Sequence, residues 1–552
     1  MLIEITTFLK PYTNEGDAKL SNMNRSLGGI KIRLFLTCWL IFVLHFATDF
    51  VREHYLVLSI VEDFSFRLDK YAGLHPDIFE IPNQGAYHGA NPGASMIAAI
   101  PYFVFKPVVN FIADHYSTKA GQGISKEDGA VYKDHRQARV RFYEQIRERG
   151  LDIKFGLVGI ITMVFCMAPI SALSAVTMFQ VMARLGLSNW LSTWMALLYA
   201  LGTPIFFRTG YLNQNLMVGI FAFIAFSQLW QAGEERQERI WLPFAFAGFL
   251  GGLAVLCDYS GLVPLILLYG YGVLHRAKSV PFSQALRESL GYFGGAIGPI
   301  LLLWFYQWKS FGHPFYPGQH YMPPVEWINI GYQGFGLPSG ELVWILLFDL
   351  RFGLFVCSPI LLLAFLSPLF NRGNRNLVPF RETMFILLFF IIFTLFSSCI
   401  QYTRLHWVTG IRYIVPIIPF LFLLTACVMV RMPTVIAYGL AILAFAESWS
   451  MSMVRRVGVP EEGVIDSVVR VIFDGFQLPW LDTLSKMSTQ YAPFLAGHNL
   501  SPLPLFVLWA FFIYGVWRIK LPWENLAKEI ITPVKSKSLP RTFNSLTQKV
   551  NE

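Results

Sequence analysis

The sequence predicts an all-α polytopic membrane protein: a bundle of about 12 transmembrane helices with a large first extracytoplasmic loop containing interfacial helices. Three observations predict it. Of the 552 residues, 54% are hydrophobic and only 14% charged, and the mean hydropathy is +0.48, values foreign to a soluble chain of this length. Apolar runs of bilayer-crossing length recur along the chain. The segments between them alternate in basic content, as the positive-inside rule requires of a multi-pass protein.

The runs fall at 33–49, 155–178, 188–206, 213–231, 240–257, 260–274, 289–308, 352–370, 383–401, 413–430, 434–453 and 501–519. The fifth and sixth are short and closely spaced, with Asp258-Tyr259 as a tight turn between them. A further stretch, 94–113, contains Pro101, Lys106 and Pro107, which suits an interfacial helix as well as a span. Charge parity decides between the two. If 94–113 lies on the membrane, the segments 1–32, 232–239, 275–288, 371–382 and the tail from 518 share one side. That side then carries Lys10, Arg25, Arg236, Arg239, Arg276, Arg287, Arg372, Arg375, Arg381 and Lys520, and both termini are expected in the cytoplasm.

The outer face then holds 50–154, 309–351, 402–412 and 454–500. One segment resists the rule: 115–154 is basic, with Lys133, Arg136, Arg139, Arg141, Arg147 and Arg149, yet falls outside. Within it, 133–149 is expected to form an amphipathic helix on the outer surface. The layout is a cytoplasmic segment 1–32, a transmembrane module 33–453, an extracytoplasmic segment 454–500, a last transmembrane helix 501–519 and a basic cytoplasmic tail 520–552. Segment 454–500 is too short for a convincing core of its own.

The net charge of +9 belongs to these loops and is no sign of nucleic-acid binding. The six cysteines, Cys38, Cys166, Cys257, Cys357, Cys399 and Cys427, lie in or beside apolar runs and form no CxxC pair, so they read as small packing residues. Residues 1–30 show no short apolar core with a cleavage site, and the first span is expected to stay as an anchor. No GxxxxGK[ST], no GxGxxG after a strand and no HExxH occurs, which argues against an ATP-driven pump and leaves no metal motif. His54, His88, His313, His320 and His406 fall on or near the outer face at scattered spacings and read as hydrogen-bonding loop histidines.

Asp49 ends the first apolar run, and Arg52, Glu53 and His54 follow within two helical turns. A carboxylate at the mouth of a membrane helix, before a long polar and aromatic loop, is a candidate general base at the bilayer surface; its bland reading is a solvated helix-end carboxylate. Downstream come Leu68-Asp69-Lys70-Tyr71 and then Tyr87-His88-Gly89-Ala90-Asn91-Pro92-Gly93, whose Pro-Gly is a turn signal before an apolar helix. This order resembles bacterial membrane-embedded glycosyltransferases of the GT-C superfamily, whose relatives include protein O-mannosyltransferases and the lipid A aminoarabinose transferase. Four later stretches continue the resemblance: ALGTPIFFRTGYLNQN (200–215), GFLGGLAVLCDYSGLV (248–263), WFYQWKSFGHPFYPGQHY (304–321) with LRFGLFVCSPILLL (350–363), and HWVTGIRYIVPIIPFL (406–421). Segment 454–552 lies outside it. Two departures stand out. Ala90 and Asn91 occupy the place where relatives often carry a lysine, and Asn215 stands where many show histidine.

The resemblance implies an inverting transfer of a sugar from a polyprenyl-phosphate donor to a lipid, glycan or protein acceptor on the extracytoplasmic face of a bacterial inner membrane. The donor lipid is a substrate, no cofactor is required, and there is room for a divalent metal. The leaving phosphate needs fixed positive charge, for which Arg351, Arg412 and Arg404 stand at outer span ends and can grip phosphate through two bonds; snorkelling to headgroups is their alternative. Asp49 would take the acceptor proton, and Glu53 would orient it. Tyr71, His88, Asn91 and Tyr413 are the remaining substrate-binding candidates, while most tyrosines suit an aromatic belt. Asp69 reads as a loop cap and Asp258 as a turn residue. The rival readings are a transporter or lipid flippase, which would favour two related halves and mid-span charges, and an inactive scaffold of the same fold.

Overall fold

In a computed structural model of the chain, the described residues are 16–120, 132, 134, 136–234, 240–324, 326–370, 377–404, 410–454, 463–487 and 500–519. Lys10, Lys133, Arg236, Arg239, Arg372, Arg375, His406 and the tail from 520 lie outside them. The chain divides into two compact units, Leu34–Ile513 and the end segments Met1–Arg33 with Tyr514–Glu552. Within the smaller unit the Arg33 guanidinium donates to the Ile519 carbonyl at 2.8 Å. The larger unit holds the candidate site.

The structure is mostly helical. In chain order come α1 (Gly16–Leu44), α2 (Arg52–Glu62), β1 (Ile78–Ile81), β2 (Gly85–His88), α3 (Gly93–Ala120), α4 (Gln137–Glu148), α5 (Asp152–Thr162), α6 (Ala168–Arg184), α7 (Asn189–Leu201), α8 (Ile205–Thr209), α9 (Gln214–Glu234) and α10 (Trp241–Cys257). There follow α11 (Leu262–Arg276), α12 (Phe282–Phe311), α13 (Gly340–Phe348), α14 (Ser367–Phe370), α15 (Phe380–Ser398), α16 (Ile418–Met429), α17 (Thr434–Met453), α18 (Val464–Asp474), α19 (Pro479–Lys486) and α20 (Leu503–Arg518). A π-helical turn, Met163–Met167, joins α5 to α6. The one departure from an all-helical reading among the described residues is the antiparallel hairpin β1–β2, in which Ile78 faces His88 and Ile81 faces Gly85.

Among the described residues, six helices are long and apolar enough to cross a bilayer: Gly93–His115, Asp152–Arg184, Gln214–Ala232, Phe282–Phe311, Phe380–Ser398 and Thr434–Met453. Several other expected runs are shorter. Trp241–Cys257, Val415–Met429 and Leu503–Arg518 are apolar helices of 10–17 residues. At about 1.5 Å per residue such helices fall short of a hydrocarbon core of roughly 30 Å. The run at 352–370 is not one helix, because Pro359–Leu366 is wound as a 3-10 helix before α14. The glycine-rich α10 packs face to face with α12: a methyl group on Gly248 would collide with the Tyr292 carbonyl, and one on Gly295 with that of Ala245. Small residues let these backbones approach, as membrane helix pairs require.

The first span ends sooner than the apolar run suggests. α1 stops at Leu44, whose carbonyl accepts the Trp480 indole N–H at 2.9 Å. The chain then leaves the helix, and the Ala47 amide donates to the Gly210 carbonyl at 2.9 Å. Asp49 therefore stands in an extended linker between α1 and α2, not on a helix end. The start of α3 is fixed by Asn91, whose Nδ2 donates to the Val255 carbonyl at 2.8 Å, and by Gly93, where a Cβ would lie 2.5 Å from the Cys257 amide nitrogen. Gln214 Nε2 donates to Asp258 Oδ2 at 2.9 Å, tying the start of α9 to the end of α10. Beyond α3, Tyr132 bridges to Met487 and Arg139 reaches Asp49. The chain thus enters α3 and resumes after it at one end of the bundle, the end that carries Asp49.

Candidate active site

Asp49 is buried, with 6% of its surface exposed. Its Oδ1 accepts from Arg139 Nη1 at 3.3 Å. The other arm of the guanidinium, Nη2, donates to Thr48 Oγ1 at 2.7 Å and to the Thr48 carbonyl at 3.2 Å. Thr48 Oγ1 in turn lies 2.6 Å from Thr483 Oγ1 on α19. The cation sits over the rings of Tyr132 and Tyr143, 5.6 and 5.8 Å from their centroids. One arginine of α4 therefore binds together the linker after α1, two aromatic rings and α19.

A second ion group flanks the first. The Asp134 carboxylate, on a side chain with no exposed surface, accepts from Arg136 Nε at 3.0 Å and Nη2 at 2.8 Å, from the Tyr132 hydroxyl at 2.9 Å and from Lys486 Nζ at 3.3 Å. Burial alone would raise its pKa, but the hydrogen bonds from Arg136 and then Tyr132 outweigh burial and hold the carboxyl well below its usual range. Lys486 also reaches Asp482 at 2.8 Å. These groups wall a polar cavity of about 160 Å³ lined by Asp49, Arg136, Arg139, Arg470, Asp474, Asp482 and Lys486, among others. Beside it opens an apolar cavity of about 520 Å³, lined by Val43, Leu44, Phe46, Phe50, Ile146, Leu157, Trp480, Leu484 and Trp509, among others. Thr48 and Thr483 line both. Charge and apolar surface thus meet within one side chain of Asp49.

Glu53 belongs to a different cluster. Its carboxylate accepts from Arg52 Nε at 3.2 Å, while Arg52 Nη1 donates to Asp77 at 2.9 Å. Burial opposes ionisation of Glu53, but the fields of Arg52, His88 and Arg412 hold its carboxyl below the ordinary value. His88 has no exposed surface, and burial drives its pKa down to about 4. It is therefore neutral near pH 7, and the charge acting on Glu53 there comes from Arg52 and Arg412. The Ala90 amide donates to His88 Nδ1 at 3.2 Å, so Nε2 carries the proton. His54 lies within the fields of both Glu53 and Asp49 and links the two clusters; burial lowers it to about 4.

The other predicted residues divide by surroundings. The field of Arg412 acts on Glu53, and its guanidinium lies over the Tyr413 ring at 5.0 Å. Arg351 pairs through two bonds with Asp349, both 3.1 Å, and is 44% exposed. Arg404 pairs with Glu341 at 2.6 and 3.0 Å. Neither of the latter two lines the cavities at Asp49. Tyr71 packs on Tyr55 and Phe155 in the core, and Asn91 is a strut to α10. Asp69 accepts the Ala86 amide at 2.7 Å and caps the hairpin; Asp258 accepts the Ser260 amide at 2.9 Å in the turn after α10. His313, Tyr316 and His320 stack on one another. Among the described residues no three His, Cys, Asp or Glu side chains converge as metal ligands.

The residues that sequence reasoning missed are Arg136, Arg139, Arg470 and Lys486. A signal for the first two was present: the basic stretch that violates charge parity supplies Arg139, which pairs with Asp49, and Arg136, which lines the same cavity. No family model, no curated protein and no solved structure matches the chain.

Proposed function

We propose that the protein is an inverting glycosyltransferase that moves a sugar from a polyprenyl-phosphate donor to a lipid, glycan or protein acceptor on the extracytoplasmic face of the membrane. The observation that carries this reading is the junction at Thr48 and Thr483, where an apolar cavity meets a polar one lined by Asp49 and four cations. An amphiphile with a long apolar tail and an anionic head matches both halves at once. The prenyl chain would lie along Phe46, Leu157 and Trp480, and the phosphate among Arg136, Arg139, Arg470 and Lys486. In the reaction, Asp49 takes the proton of the acceptor hydroxyl as its oxygen bonds to the anomeric carbon. The bond from that carbon to the phosphate oxygen breaks, and the phosphate leaves with the electron pair, stabilised by the guanidinium groups. Without donor, Arg139 is held by Asp49; with donor, phosphate competes for that guanidinium and frees the carboxylate.

The experiment is turnover of a panel of polyprenyl-phosphate sugars by purified protein in nanodiscs, read as release of polyprenyl phosphate. The reading requires release from at least one donor. Failure of the whole panel, with alternating access of the cavity to both sides, would favour transport instead.

A further inference from the structure

The segment after α17 had no role in the sequence, and its helix α18 is two-sided. Val464 and Ser467 are buried, and Ser467 Oγ donates to the Val454 carbonyl at 3.4 Å. Ile465, Val469, Ile472 and Phe473 are 60%, 43%, 70% and 81% exposed, and Phe476 just beyond is 52% exposed. At 100° per residue, positions i, i+4, i+7 and i+8 (Ile465, Val469, Ile472 and Phe473) form one stripe, and Phe476 follows after the helix ends at Asp474. Arg470 and Asp474, turned away from the stripe, line the polar cavity.

The level of this helix in the fold identifies what covers the stripe. α17, a helix of spanning length, ends at Met453 just before it. Phe476 meets Phe506, near the start of the apolar α20, with ring centroids 6.1 Å apart. Trp480, at the start of α19, donates to the last carbonyl of α1 at 2.9 Å. Segment 463–487 therefore sits where three apolar helices end, which is where a bilayer changes from hydrocarbon to headgroup. An indole at that level and Arg470 and Lys486 on the polar side are the usual furnishings of an in-plane helix.

We propose that α18 lies in the plane of the bilayer with the Ile465–Phe476 stripe in the acyl region of the extracytoplasmic leaflet, so that it forms the membrane-side wall of the polar cavity. The occupant of the stripe is lipid. Because α19 lines the apolar cavity through Trp480 and Leu484, a membrane amphiphile reaches the cavity without leaving the leaflet. The inference needs the membrane reading but not the glycosyltransferase chemistry.

The test is depth-dependent quenching on the full chain in nanodiscs. Ile472→Cys and Phe473→Cys carry an environment-sensitive fluorophore, with Glu80→Cys on the exposed edge of β1 as a water-facing control; signal from the buried native cysteines is subtracted with the unsubstituted protein. Nitroxide-labelled lipids are expected to quench positions 472 and 473 several-fold more than position 80, and aqueous iodide the reverse. Iodide quenching of 472 and 473 equal to that of 80 would overturn the proposal. So would shielding from both quenchers together with crosslinking between chains, because a second copy would then cover the stripe. A lipid-quenched stripe in a protein without transferase activity would leave this proposal standing and remove only the chemistry.

Discussion

At the scale of the residue, the account turns on how one carboxylate is held. Asp49 was legible in the sequence as a carboxylate after an apolar run; its partner was not, because Arg139 lies 90 residues away and belongs to a stretch that parity alone marks as misplaced. Arg139→Gln removes the guanidinium from both Thr48 and Asp49. It is expected to weaken donor binding at least tenfold, with Arg139→Lys recovering part of the loss through charge without the two-bond grip. Titration with a polyprenyl phosphate by native mass spectrometry measures this. The sequence pointed to Glu53 as a helper of Asp49; the structure gives it Arg52, His88 and Arg412 as surroundings. Folding that cluster depends on pH. An unfolded histidine binds a proton from about pH 6.5, whereas buried His54 and His88 do so only near 4, so protons favour the unfolded chain throughout that interval. Stability should fall as pH drops from 6.5 to 4. Below that, Glu53 and Asp77, both held under their ordinary values, add a further loss as they protonate. Thermal unfolding across this range checks the slope, and His54→Gln with His88→Gln should flatten its upper part.

At the scale of the element, apolar runs located the helices well and their ends poorly. The runs at 155–178, 213–231 and 434–453 correspond to helices of spanning length. The first run overshot α1 because Ala47 bonds to Gly210, a tertiary contact that no local pattern announces. The run at 352–370 reads as helix by hydropathy, yet the chain after Pro359 winds as 3-10. α4 was expected as an amphipathic surface helix, and its Arg139 binds Asp49, a carboxylate 90 residues away in the chain. Asp134 joins the start of α4 to α19 through Arg136 and Lys486, 352 residues away. Asp134→Ala leaves buried Arg136 without its two-bond partner and should destabilise the protein by about 3–5 kcal/mol, read by thermal unfolding in detergent. For α3, which over Gly93–His115 is long and apolar enough to cross a bilayer, charge parity is the ground for expecting that it lies along the outer surface. A cysteine at Arg141, exposed on α4, is therefore expected to react with a membrane-impermeant thiol reagent added outside intact cells. Reaction only after the cells are opened would place α4 in the cytoplasm and make α3 a span.

At the scale of the whole molecule, the bundle brings the ends of α1, α9, α10 and α17 to one end and sets the candidate site there. Its walls come from the linker after α1, from α4 and from segment 463–487, three stretches with no common motif, which is why the assembled cage was not readable in advance. The amphiphile-shaped pair of cavities is a property of the assembly and not of any run of residues. The most direct test of the account is Asp49→Asn, which keeps the side chain's shape and removes its ability to take a proton. With a donor that the unsubstituted protein turns over, Asp49→Asn is expected to bind polyprenyl-phosphate sugar about as well as before and to lose roughly a hundred- to ten-thousand-fold in transfer rate. Transfer by Asp49→Asn at the unsubstituted rate would contradict the account.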